Sequence, residues 1–245
     1  MRGDTLATTR PMLIYTLYTH LLPAPCDWES ELPRIAAMGF THVAVAGQIN
    51  TTDPTVALFC AKARSLRLTA LAVMPASNWG EGGASLQTGL AAVLAAGWDG
   101  VRVVDPGSVT FEDWSRVITA IRTEFPDAVL IADTVGVKQA NIVQLAATGF
   151  DAMVDSGAWW DGKAAWHIEQ RNAIAIHCRP VSFLEDPAIG RLADRLTPRD
   201  ERTTADQHLD WYLWTVGHAG GVIVAMGFEF GSRAPLDPAL PVPRP

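Results

Sequence analysis

Eight short apolar runs recur along this chain at near-regular spacing, each separated from the next by a stretch with helical patterning, and this alternation limits the possible folds more than any other feature. The runs are 12–18, His42–Ala46, Leu68–Met74, the Val101–Val104 core of Trp98–Pro106, Val129–Ala132, Ala152–Val154, Pro180–Leu184 and Val222–Met226. They are too apolar on both faces for an antiparallel sheet with one wet side, so they read as parallel strands buried on both faces. Eight such strands with intervening helices predict an α/β fold, the (β/α)8 TIM barrel, and 245 residues is an ordinary length for one.

The helices are expected from about Asp27, a candidate N-cap with Glu29 and Glu31 behind it, to Met38, and then over Pro54–Leu66, 85–96, Phe111–Phe125, 137–148, 163–176 and 203–217. A short loop rich in turn formers covers 75–83, and a stretch rich in Arg and Asp covers 191–202. The eighth helix is missing. After Gly231 only fourteen residues remain, and proline recurs among them too often for a helix. The expectation is a minimal single domain over 1–245 with irregular ends at 1–11 and 232–245. An apolar seam on strands eight and one would then be left for the N-terminal segment, a partner, a second copy of the chain, or nothing to cover.

At 49% hydrophobic the chain can bury a large core without disulfides. A net charge of −7 without any Lys/Arg cluster argues against nucleic acid as a partner. Cys26, Cys60 and Cys178 are odd in number and far apart, with no CxxC pair, and read as reduced core thiols of a cytoplasmic protein. Arg2 and Arg10 ahead of Met12–Tyr18 imitate a signal peptide, but Asp4, Thr16 and His20 interrupt the pattern. No apolar run reaches the roughly 18 residues that span a bilayer, so no membrane partner is expected. The histidines show neither HxxxH nor HxH spacing, and phosphate loops and GxSxG elbows are absent, so neither a metal nor another cofactor is expected.

In a parallel barrel the side chains at the carboxyl ends of the strands point into the mouth where chemistry takes place. Arg102 and Asp105 on strand four, Asp133 on strand five and Glu185-Asp186 after strand seven are therefore the residues to question. Asp133 reads either as an acid in a sugar pocket or as the partner of Arg102 in an ion pair. Glu185 and Asp186 read as mouth carboxylates, or Asp186-Pro187 as a turn. Trp79, Trp159 and Trp160 lie in loops beyond strand ends, where flat rings stack on sugars or pack inward, whereas Trp28, Trp98, Trp114 and Trp166 read as packing.

Several segments appear in a recognisable order: Glu31–Phe40 before strand two, Gly100-Val101-Arg102 on strand four, Ile131–Gly136 on strand five, Trp159-Trp160-Asp161 after strand six and Gly227–Gly231 after strand eight. In that order the chain resembles the α-amylase superfamily, glycoside hydrolase family 13, and within it bacterial members related to maltosyltransferases. The resemblance implies a nucleophilic carboxylate two residues after the strand-four Arg, where this chain has Val104, with Asp105 offset by one. It implies a general acid at Asp133, one methylene shorter than the family's Glu. It also implies a His-Asp pair after strand seven, where this chain has Pro187-Ala188, and a subdomain after strand three that is reduced to 75–83. The candidate catalytic carboxylates are thus Asp133, Asp105 and Glu185. The candidate substrate contacts are Arg102, Trp79, Trp159, Trp160, Asp161 and Glu229. The expected function is a catalytically degenerate barrel that binds an α-glucan or related oligosaccharide or accompanies an active enzyme. The rivals are an active glycosidase or glycosyltransferase with rearranged carboxylates, and an interaction barrel docked through its seam over a vestigial pocket.

Overall fold

The computed structural model describes residues 10–19, 28–47, 50–79, 83–135, 137–196 and 204–236. Eight parallel strands close in sequence order into a barrel: β1 (Met12–Tyr18), β2 (His42–Ala46), β3 (Thr69–Pro75), β4 (Gly100–Val104), β5 (Val129–Asp133), β6 (Ala152–Val154), β7 (Arg179–Phe183) and β8 (Gly221–Ala225). β8 returns to β1 in a register that pairs Ile14 with Ile223 and Thr16 with Ala225. Strand side chains alternate between two layers. Met12, Ile14, Ala44, Leu71, Ile131, Ala152, Val154, Val181 and Ile223 fill the barrel interior, while Tyr15, Leu17, Val43, Val101, Val103, Leu130 and Val224 face the helices. Where strands converge at the base, a side chain does not fit. A Cβ on Gly100 would stand 2.1 Å from the Val129 carbonyl oxygen, and one on Gly221 2.4 Å from that of Met12.

The helices are α1 (Trp28–Ala37), α2 (Pro54–Ser65), α3 (Gly83–Ala95), α4 (Phe111–Glu124), α5 (Ile142–Ala146), α6 (Ala165–Ala175), α7 (Leu192–Arg195) and α8 (Thr204–His218). α4 shows why they form: Thr110 caps it by accepting the Asp113 N–H at 3.1 Å, and Trp114, Val117, Ile118 and Ile121 lay one apolar stripe on the barrel. Two expectations change. The helix predicted over 137–148 shrinks to five residues, because a 3-10 turn over Gln139–Asn141 takes its first part. The stretch 191–202, read as polar loop, opens with the extra helix α7. The proposed cap Asp27, the thiol of Cys26 and the outermost ends lie outside the described residues. Cys60 and Cys178 are buried free thiols, each pushed up to about 12 by burial.

Among the described residues none after β8 is α-helical; a 3-10 turn, Phe228–Phe230, follows instead. The strip this leaves on β8 and β1 is nevertheless not bare, since Tyr15, Leu17, Val222 and Val224 are all buried. Phe40 meets the Tyr15 ring edge-on at 5.2 Å, and Glu229 swings out from the turn to accept the Tyr15 hydroxyl at 2.7 Å while pairing with Arg34. The exposed apolar surface sits one layer further out, on Leu209 (55% exposed), Leu213 (56%) and Phe230 (78%).

Two imidazoles are held neutral by the packing. Burial, helped by Arg179, lowers His42 to about 4, and burial, helped by Arg191, lowers His208 to about 4. The unfolded chain, with histidines near 6.5, binds these protons more readily, so this stability is complete above pH 6.5 and is lost as the pH falls toward 4. Denaturant unfolding across that window should lose up to roughly 3 kcal/mol per histidine. His42→Asn, which keeps a partner for the Thr41 hydroxyl, should flatten the slope; a slope identical to wild type would remove His42 from the account.

Candidate functional site

The inward positions at the carboxyl ends of the strands frame a cavity of about 460 Å³ at the barrel mouth. β1 contributes Thr16 and Tyr18, β4 contributes Arg102 and Val104, and β5 contributes Asp133; Phe183, Glu185, Ile223 and Ala225 follow, and Pro75 with the loop residues Asp105, Val135 and Asp186-Pro187-Ala188 completes the wall. Arg102 and Asp133 meet as a fork, Nε to Oδ1 at 2.9 Å and Nη2 to Oδ2 at 2.8 Å, with both side chains buried. Burial alone would lower the guanidinium, but the charge and hydrogen bonds of Asp133 outweigh it and hold Arg102 up. Both Asp133 oxygens are engaged as acceptors, so neither hands a proton to a leaving group without opening the fork.

Val104 points inward and lines the cavity. Asp105 follows in the left-handed region (φ 47°, ψ 45°), which swings its carboxylate sideways to accept the Ala76 N–H at 2.7 Å. It stands on the exposed rim, tied to the loop after β3. Glu185 is buried: Oε2 accepts the Leu192 N–H at 2.7 Å, and Oε1 lies 2.8 Å from Nε of Arg191 as an ion pair off hydrogen-bond angle. Burial pushes the Glu185 carboxyl up against the opposing pull of Arg191. Asp186 spends its Oδ1 on the Ala188 N–H at 3.0 Å and turns the chain.

The substrate-contact candidates scatter. Trp159, 45% exposed, packs edge-on at 5.3 Å against Phe183 of the cavity wall without lining the cavity itself. Trp160 packs instead among His167, Trp214 and Trp211, donates Nε1 to the Ala164 carbonyl, and with Asp161 lines a neighbouring cavity of about 410 Å³. Asp161 caps the turn before α6 by accepting the N–H groups of Lys163 and Ala164, which hold its carboxyl below the usual range. Glu229 lies on the opposite side of β1 from the cavity, because Tyr15, its partner, faces out where Thr16 faces in. The backbone of Trp79 closes the 3-10 turn Ala76–Trp79, and its side chain lies outside the described residues.

Sequence reasoning missed a buried polar cluster behind β6. Asp155 accepts the Ser182 hydroxyl and the Gly157 N–H, with His167 Nε2 at 3.2 Å and Arg171 Nε at 3.6 Å. The signal was Asp155 at a strand end, but its partners come from α6 and β7. Among the described residues no group of three His, Cys, Asp or Glu is arranged to hold a metal ion, and no helix is long and apolar enough to cross a membrane.

Comparison with known proteins follows the same lines. Over 148 residues, 60% of this chain, the sequence is 32% identical to the α-1,4-glucan:maltose-1-phosphate maltosyltransferase of Burkholderia pseudomallei strain K96243. The chain resembles the α-amylase superfamily. The matched stretch is 13% of the length of that maltosyltransferase, and no protein-family model matches the chain. The barrel superposes on an α-amylase from Geobacillus thermoleovorans complexed with acarbose with a TM-score of 0.70 at 12% identity, covering 94% of this chain and 74% of that one. An α-amylase from Lactobacillus plantarum gives 0.67 at 12% identity with the same coverages. The cyclic α-maltosyl-(1→6)-maltose hydrolase of Arthrobacter globiformis gives 0.68 at 13%, covering 94% and 77%. These structures share the closed (β/α)8 barrel fold with this chain.

Proposed function

We propose that the mouth cavity binds a short α-glucan or related oligosaccharide, and that the chain lacks the retaining hydrolysis of the α-amylase superfamily. One observation carries the reading: Val104 occupies the inward position where the resemblance calls for a nucleophile, beside an Asp133 whose oxygens are both taken by Arg102. The cavity still suits a sugar. Its volume lies in the range of small-molecule sites, Trp159 offers an exposed ring beside Phe183 of the wall, and the Thr16 hydroxyl is buried in it without a partner. An unpaired buried hydroxyl costs about 1–3 kcal/mol, which a sugar hydroxyl would recover.

Titration calorimetry with maltose, maltotriose and maltoheptaose should give saturable binding. Trp159→Ala should weaken it about tenfold, corresponding to about 1.4 kcal/mol. Absence of saturable heat with every maltooligosaccharide would sink the reading. The rival, an active enzyme, has one observation in its favour: burial favours the acid form of Glu185, as a general acid requires.

A further inference from the structure

Two carboxylates at the mouth cavity have no counter-charge. Among the described residues Arg102 is the only cation that lines the cavity, and Asp133 fills its fork; Glu185 is likewise matched by the neighbouring Arg191. What remains is Asp105 after β4 and Asp186 after β7, both in the lining and neither in an ion pair among the described residues. Each commits one oxygen only. Oδ1 of Asp105 accepts the Ala76 N–H and Oδ1 of Asp186 accepts the Ala188 N–H, while Oδ2 of both has no hydrogen-bond partner among the described residues. In the closed strand order β4 and β7 stand well apart around the barrel, so the two charges face the mouth from different sides. Burial dominates the raised pKa of the Tyr18 phenol, and Asp186 adds to it, which places the field of this carboxylate inside the mouth. Deeper in the cavity the Thr16 hydroxyl, 1% exposed, makes a separate demand on a ligand, because it has no partner of its own.

We propose that the ligand of this mouth is a sugar that carries a protonated amine: its hydroxyls satisfy Thr16 inside, and its ammonium lies against Asp105 and Asp186 at the rim. This rests on the reading of the mouth as a sugar site and narrows that reading to a charge class. An ammonium brings a positive charge and three donors to a rim that offers negative charge and unspent acceptors. A phosphate or carboxylate on the sugar meets the same two charges as repulsion, and the one cation of the lining is already taken by Asp133. Because both carboxylates border water, each contact is worth little alone, and the consequence is a graded preference.

Three maltose derivatives that differ at one carbon test it: 1-amino-1-deoxymaltitol, protonated at neutral pH, neutral maltitol, and anionic maltobionate, each titrated against the full chain by saturation-transfer NMR. At low ionic strength the amine should bind about fivefold tighter than maltitol, and maltobionate about fivefold weaker. In about 1 M salt, where the screening length falls to about 3 Å, the three affinities should converge. Asp105→Asn together with Asp186→Asn keeps acceptors for the Ala76 and Ala188 N–H groups and removes both charges, so the ranking should collapse there even at low salt. The salt series is read on the wild type and decides the matter whether or not the double variant folds. Equal affinities at low salt, or a preference for maltobionate, would overturn the proposal. A ranking that survives the double substitution would also overturn it, by putting the selecting charge elsewhere. Maltitol binding as tightly as the amine strikes the charge class and leaves the glucan reading standing; binding of the amine alone supports the charge class and removes the neutral glucan; failure of all three to bind removes both.

Discussion

Asp133→Asn is expected to cost about 3–5 kcal/mol of stability, because it leaves the Arg102 guanidinium buried without its counter-charge. For a chain of this length each kcal/mol moves the melting temperature by about 2–4 °C, so a fall of roughly 10 °C should be visible by calorimetry. Replacing both partners with apolar groups, Arg102→Met with Asp133→Leu, should recover most of that loss, since no unpaired charge remains. The two single variants and the double variant form a cycle that decides what the fork does. Strong non-additivity means that Arg102 and Asp133 hold β4 to β5. Additive losses below about 1 kcal/mol would mean that mouth water solvates Arg102 and that Asp133 is free for other work.

The barrel was legible because its signals are local. Val101 and Val103 facing out with Arg102 and Val104 facing in follow from strand alternation, and the Trp114–Ile121 stripe follows from helical periodicity. The Asp186-Pro187 turn was likewise readable from its two residues. What escaped depended on chain direction or on distant partners. Arg191 lies in a stretch that looks solvated, yet it is fully buried, because Glu185 and the Met226 carbonyl wait for it across the end of the barrel. Glu229 follows β8 as a mouth residue would. Gly227 at φ 84° reverses the chain and carries Glu229 outward to Tyr15, and glycine leaves that direction open in the sequence. The Asp155 cluster draws its residues from a strand end, a helix and the next strand, a convergence that no single stretch displays.

Purified protein incubated with maltoheptaose should release no sugar above the blank. Retaining hydrolysis requires a nucleophilic carboxylate and a carboxylic acid about 5–5.5 Å apart across the scissile bond. The isopropyl group of Val104 neither attacks an anomeric carbon nor stabilises an oxocarbenium ion. Asp105, the nearest substitute in sequence, has its carboxylate drawn off to the Ala76 N–H, and Asp133 would have to leave Arg102 before acting as an acid. Ala188, on the turn that borders the cavity, offers no group to fix a sugar hydroxyl. A misplacement of about 1 Å can cost on the order of 100-fold, so three such defects together put turnover below detection. For the same reason Val104→Asp alone should not restore it: a new carboxylate would still face an acid locked in its fork. Proton NMR of the reaction settles the matter, because product appearing with the anomeric configuration of the substrate, from wild type or from Val104→Asp, would show that a working carboxylate pair assembles in this mouth.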